Sequence, residues 1–138
     1  MHQGTEVPAL AKVREHMDTH VPSVLPGMPI LDAARFLIRH RVTGAPVVDA
    51  AGNLVGMLTE LDCLNVLTTE GGDEAQRGTV SQYMTDEVVT IPPDMTISYP
   101  TGVFLRSSFR RLTVVEDGKV VGAITRFDIL RFMANMLN

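Results

Sequence analysis

Apolar residues Ile30, Ala33, Ala34, Leu37 and Ile38 recur at three- and four-residue spacing, which predicts an amphipathic helix following Pro29. Two short apolar runs come next, residues 45–48 and 54–58, and the turn between them at 50–53 makes them a pair of strands. Helical spacing resumes at Thr59 and fades near Leu67. The same succession then returns. Ile97, Val103, Phe104 and Leu105 predict a second helix, weakened in its first turns by Pro100 and Gly102. Strands over 112–116 and 120–125 join through an Asp117-Gly118 hairpin signal, and a closing helix runs from Thr125 to near Leu137. A short extended piece ended by proline precedes each first helix, at 22–25 and 88–91. The order is β-α-β-β-α, twice.

The repetition extends to residue identity. A shift of 67 pairs Met17 with Met84, Pro26 with Pro93, Met28 with Met95, Ile30 with Ile97, Arg39 with Arg106 and Val48 with Val115. One residue is lost in a turn, where a deletion is best tolerated. A shift of 66 then pairs Gly56 with Gly122, Thr59 with Thr125, Asp62 with Asp128 and Leu64 with Leu130. The chain therefore divides into a lead-in over 1–12, a first repeat over 13–68, a polar linker over 69–78 and a second repeat over 79–138. A weak pattern around 8–16 suggests a loose lead-in helix. Repeats of roughly 55 to 60 residues are marginal alone. An α+β fold is expected in which the repeats pack, by pseudo-twofold symmetry, into one domain.

Composition narrows the function. The 138 residues carry 16 acidic and 12 basic side chains, a net charge of −4, which disfavours a non-specific nucleic-acid binder. Of the basic residues 10 are Arg and 2 are Lys, and Arg suits bidentate recognition of small anions. Cys63 is the sole cysteine, so no internal disulfide forms. The longest stretch without a charged residue, 19–31, contains three prolines and cannot span a membrane as a helix. No secretion signal opens the chain, and a cytoplasmic protein is expected.

Each repeat closes on the same pattern, Gly56-Met-Leu-Thr-Glu-Leu-Asp62 and Gly122-Ala-Ile-Thr-Arg-Phe-Asp128, preceded by Ala45-Pro-Val-Val-Asp49 and Leu112-Thr-Val-Val-Glu116. Thr59 and Thr125 stand where a strand hands over to a helix, and free N–H groups there favour an anion. A hydroxyl and a carboxylate three residues apart share one face of the first turn. Asp62 or Asp128 can accept hydrogen bonds from a ribose diol. The same Thr-x-x-Asp spacing is also a helix-capping signal, and the two roles are compatible.

This layout resembles the cystathionine β-synthase (CBS) domain pair, or Bateman module, over about residues 13–137. The resemblance implies a stand-alone, non-catalytic regulatory module that holds the adenosine part of AMP, ADP, ATP or S-adenosylmethionine in the cleft between the repeats. No catalytic cofactor is implied. It also implies a homodimer formed through the repeat helices, an unidentified regulated protein as partner, and adenine contacts near Ser23 and Thr90. Arg126 follows Thr125 and could pair with a phosphate, and Arg110 and Arg111 precede the strand at Leu112, a place from which basic residues of related modules reach phosphates; the first repeat has Glu60, Thr43 and Gly44 instead. The Thr125/Asp128 half-site is accordingly expected to bind a nucleotide more tightly than the Thr59/Asp62 half-site. A structural dimerisation module without a functional ligand site is the alternative.

The other reactive side chains suggest less. His16 and His20 are four apart but lack completing ligands, so solvated histidines are expected rather than a metal site. Cys63 has no base to activate it and reads as a half-buried helical residue. Arg39-His40-Arg41 and Arg110-Arg111 lack the aromatic platform of a nucleic-acid reader. No nucleophile triad, paired-acid site or phosphate-binding loop marks an enzyme.

Overall fold

The structure, a computed structural model, describes residues 11–69 and 77–137. Most of the expected lead-in and linker, 1–10 and 70–76, therefore lies outside the described residues. Of the loose helix expected around 8–16, the described part shows a 3₁₀ turn at Val13–Glu15. The remaining elements, in order, are α1 (Ile30–His40), β1 (Gly44–Val48), β2 (Leu54–Thr59), α2 (Glu60–Thr69), α3 (Val80–Tyr83), β3 (Thr90–Ile91), α4 (Ser98–Arg106), β4 (Arg111–Glu116), β5 (Lys119–Thr125) and α5 (Arg126–Leu137). The fold is α+β, with the strands in a two-stranded sheet, β1-β2, and a three-stranded sheet, β3-β4-β5.

The first extended piece of each repeat is shorter than its sequence suggests. In the first repeat it is a single parallel bridge, Val24 to Val47, because Pro22 and Pro26 remove the N–H donors a longer ladder needs. In the second it is the two residues of β3, parallel to β4.

Two compact bodies form, residues 21–69 and 77–88 with 118–120, and residues 11–20 with 89–117 and 121–137. Bodies and sequence repeats are cut at different places, since residues 11–20 pack with the second repeat's elements.

In the body that holds α1, Ile30, Ala33, Ala34 and Leu37 form one stripe of that helix and cover Ala45, Val47 and Leu58 of the antiparallel β1-β2 pair. Cys63 and Val66 of α2 complete this core. Burying each valine, leucine or isoleucine of this core stabilises by about 1.5–3 kcal/mol, and each alanine by less. The stripe excludes Ile38, which stays 75% exposed. Arg41 ends α1 in the left-handed conformation, φ 55°, with its N–H turned back to the last turn's carbonyls. A backbone clip fixes the start of α1: Val80 N–H donates to Met28 O at 2.9 Å and Ser81 N–H to Pro26 O at 2.9 Å.

The second body repeats these devices. Ile97 and Phe104 cover Leu112, Val114 and Ile124, with Ile129 of α5 and Val13 closing the core. Leu105 faces outward, 81% exposed, in the position that matches Ile38. Val13 N–H donates to Met95 O at 2.9 Å and Arg14 N–H to Pro93 O at 2.8 Å, the same clip one repeat-length away. The hairpin turn between β4 and β5, where the division between the bodies falls, is Asp117-Gly118, at φ 53° and 80°, the tight turn that the dipeptide predicts.

A second duplicated device sits on the strand that leads to each threonine. Met57 and Thr85 exchange backbone hydrogen bonds at 2.8 and 2.9 Å, and Ala123 and Asp18 do so at 2.9 Å each. The methionine just before each partner lies over the motif glycine. A Cβ on Gly56 would come within 2.5 Å of Met84 Sδ, and one on Gly122 within 2.5 Å of Met17 Sδ. Only glycine admits that approach. No described helix is long and apolar enough to cross a membrane.

Candidate functional site

Both Thr-x-x-Asp patterns lie at the strand-to-helix handover. Thr59 ends β2 and Thr125 ends β5, so Asp62 and Asp128 fall in the first turns of α2 and α5. Each pair closes on itself as a reciprocal cap. Asp62 N–H donates to Thr59 Oγ1 at 3.3 Å, while Thr59 N–H donates to Asp62 Oδ2 at 2.8 Å. In the second repeat the corresponding distances are 3.1 and 2.9 Å. The capping reading of these residues is thus realised in the structure, satisfying donors that a helix start leaves open.

The two half-sites differ in what remains. Thr59 Oγ1 also donates to Asp62 Oδ2 at 3.0 Å, which concentrates every bond on one carboxylate oxygen. Among the described residues no donor reaches Asp62 Oδ1. Asp128 is more enclosed, 8% exposed, and its Oδ1 accepts a hydrogen bond from Arg131 Nη2 at 2.9 Å. Its two oxygens are both engaged.

The basic residues are disposed as follows. Arg126 is exposed and donates from Nε to Phe109 O at 2.9 Å and from Nη2 to Ser108 O at 3.2 Å, tethering the loop before β4. Arg110 is exposed and Arg111 half-buried at the start of β4, and neither makes a side-chain hydrogen bond among the described residues. In the first repeat Glu60 is exposed at the first position of α2, and its N–H is taken by Thr43 O at 2.9 Å. An acid there complements the helix end but repels a phosphate. Ser23 Oγ donates locally to Val21 O at 3.2 Å, and Thr90 is exposed in β3 opposite Thr113.

Two expectations need correction. His16 is half-buried, its ring centre 4.1 Å from that of Phe132, because the clip at residues 13–14 carries it onto α5. Cys63 is fully buried rather than half-buried, at 4% exposure, and burial beside Asp62 pushes its thiol pKa up. Among the described residues no group of three His, Cys, Asp or Glu side chains could hold a metal ion. Arg131 escaped the sequence reading, although an acid and an arginine three apart on a helix is a readable pairing signal.

A sequence-family model for the CBS domain matches residues 13–69 and 80–135. YhcV of Bacillus subtilis, a CBS domain-containing protein, is 32% identical over 120 residues, which cover 87% of this chain and 84% of that protein. MJ1225 of Methanocaldococcus jannaschii is 29% identical over 123 residues; the match takes in 89% of this chain but only 43% of the relative. Among solved structures, CBSX2 of Arabidopsis thaliana in complex with AMP aligns with a TM-score of 0.80 at 27% identity, covering 93% of this chain and 99% of that one. The CBS domain pair of MJ0100, in complex with 5′-methylthioadenosine and S-adenosylmethionine, aligns at 0.74 and 26% identity, covering 91% and 98%.

Proposed function

The chain belongs to the CBS domain family, and on that premise we propose that it is a non-catalytic regulatory module for adenosine-containing ligands. The observation that carries this reading is the duplicated handover from strand to helix, where a threonine hydroxyl and an aspartate carboxylate meet the helix N-terminus in each repeat. Asp62, half-buried with Oδ1 unengaged among the described residues, has the acceptor capacity that a ribose diol requires. Arg110, Arg111 and Arg126 supply the guanidinium groups that a phosphate or carboxylate on the ligand would seek. Ser23 and Thr90 are assigned to the base. The AMP complex of CBSX2 and the S-adenosylmethionine complex of the MJ0100 pair support an adenosine ligand here.

Regulation follows by linkage. A ligand that binds one arrangement of the protein more tightly shifts the population toward it, by no more than its differential affinity. The partner that reads the shift is a second protein. Homodimerisation is part of the proposal: Ile38, Leu61 and Leu64 in one body, and their matches Leu105, Phe127 and Leu130 in the other, stand 56–81% exposed on helices. Matched apolar faces in both repeats suit a second copy of the chain.

The alternative is a structural dimerisation module, and the self-satisfied capping boxes favour it to the extent that caps need no ligand. A thermal-shift panel separates the two. AMP, ADP, ATP or S-adenosylmethionine at 100-fold excess over Kd should stabilise the protein by about 2.7 kcal/mol. No shift with any of the four would leave the structural reading.

A further inference from the structure

The half-sites differ at a position outside the motif. Three residues after the motif acid stands Arg131 in α5 and Asn65 in α2, the same place under the 66-residue shift. Arg131 Nη2 reaches Asp128 Oδ1 at 2.9 Å, and its guanidinium carbon lies 5.4 Å from the centre of the Phe127 ring. The other oxygen of Asp128 is held by the Thr125 N–H at 2.9 Å. The Asp128 side chain keeps 11% of its surface exposed and that of Arg131 50%. The arginine is therefore the outer, removable member of the pair.

We infer that Arg131 is an internal lid on the second half-site, occupying the carboxylate oxygen that a ribose diol would use. The inference rests on the adenosine reading above. A neutral sugar hydroxyl makes a weaker bond to a carboxylate than a guanidinium does, so the ligand must displace Arg131 before Asp128 can hold it. Asn65 leaves Asp62 Oδ1 open, and the first half-site fills first. This reverses the order that Arg110, Arg111 and Arg126 alone suggest. The repeat that carries the cations is the one whose sugar acceptor is covered.

Calorimetric titration of the full chain with AMP tests the lid, using the wild type, Arg131→Asn, Arg131→Lys and Asp62→Asn, with the double variant Asp62→Asn/Arg131→Asn. Arg131→Asn installs the residue that the first repeat already uses at this exposed position, so folding is preserved. The wild type should show one equivalent of AMP binding well ahead of the second. Arg131→Asn should tighten the second equivalent roughly fivefold to tenfold, the range for a charge-assisted bond with one solvent-exposed partner. Arg131→Lys should restore the wild-type isotherm. Asp62→Asn should lose the first equivalent, and the double variant should bind one equivalent through Asp128. An unchanged or weakened second equivalent in Arg131→Asn, with normal binding to the wild type, overturns the lid and leaves the adenosine reading standing. Absence of AMP binding in all five chains overturns that reading and the lid with it.

Discussion

Adding a single methyl group at Gly56 tests whether the methionine notch holds the strand that carries Thr59. In Gly56→Ala the new Cβ would sit 2.5 Å from Met84 Sδ, 2.9 Å from Met84 Cγ and 2.9 Å from the Thr85 carbonyl oxygen. The thioether is the flexible end of a side chain, but the carbonyl is backbone. It accepts the Met57 N–H at 2.8 Å, and the Thr85 N–H returns a bond at 2.9 Å. Over-packing of this kind costs about 1–3 kcal/mol. If residues 84–85 are driven off the strand, two hydrogen bonds go as well, at about 1 kcal/mol each. The expected loss is therefore about 1–3 kcal/mol if the pairing holds and about 3–5 kcal/mol if it breaks, read as a lowered urea midpoint at unchanged slope. Met84→Ala in the same chain removes the sulfur that the methyl meets. The double variant should then be more stable than the sum of the single losses by about 1 kcal/mol or more. Gly122→Ala and Met17→Ala should behave alike, because a Cβ on Gly122 would likewise come within 2.5 Å of Met17 Sδ. A loss below about 0.5 kcal/mol, or strict additivity with Met84→Ala, would refute the notch.

Thr59→Ala and Thr125→Ala each remove one half of a reciprocal cap and should destabilise by about 1 kcal/mol in denaturant melts; neutral substitutions would contradict the capping geometry. Burial raises the Cys63 thiol pKa and hides it from solvent. A thiol reagent at pH 8 should accordingly label the native chain at least about tenfold more slowly than the urea-unfolded chain, and equal rates would show the thiol exposed. Arg14 beside Asp94 holds that carboxyl below its ordinary value of 3.8. The clasp's contribution is complete above that value and is lost as pH falls through the depressed one. Arg14→Ala should flatten the acid limb of the stability profile, and an unchanged limb would show that the Arg14–Asp94 pair adds nothing to stability. Leu64→Glu with Leu130→Glu should turn a dimeric wild type monomeric in sedimentation velocity runs, whereas a wild type already monomeric at micromolar concentration excludes the helix-face dimer.

Much of this architecture was legible in the order of residues because it is duplicated. Ile30, Ala33, Ala34 and Leu37 gave α1 by their period, and Asp117-Gly118 gave the β4-β5 turn by its dihedral preference. Periodicity marks which face is apolar without saying that the face is covered, so Ile38 and Leu105 joined the expected stripes yet lie 75% and 81% exposed. The clips escaped detection for a different reason. Val13 and Val80 are each wholly buried, but one valine in a single turn makes no period. The Met17–Gly122 and Met84–Gly56 contacts join residues far apart in the chain, and only the repeat hinted that methionine and glycine recur together. At the site, the spacing of Thr59 and Asp62, or Thr125 and Asp128, fixed the caps. It did not reveal that Arg131 engages one acid while Asn65 leaves the other open.

A crystal structure of the full chain with AMP shows whether Asp62 holds the sugar. The ribose hydroxyls should lie within about 3 Å of Asp62 Oδ1, with the Thr59–Asp62 cap intact beneath them. AMP bound elsewhere, with Asp62 Oδ1 left to water, would contradict that placement.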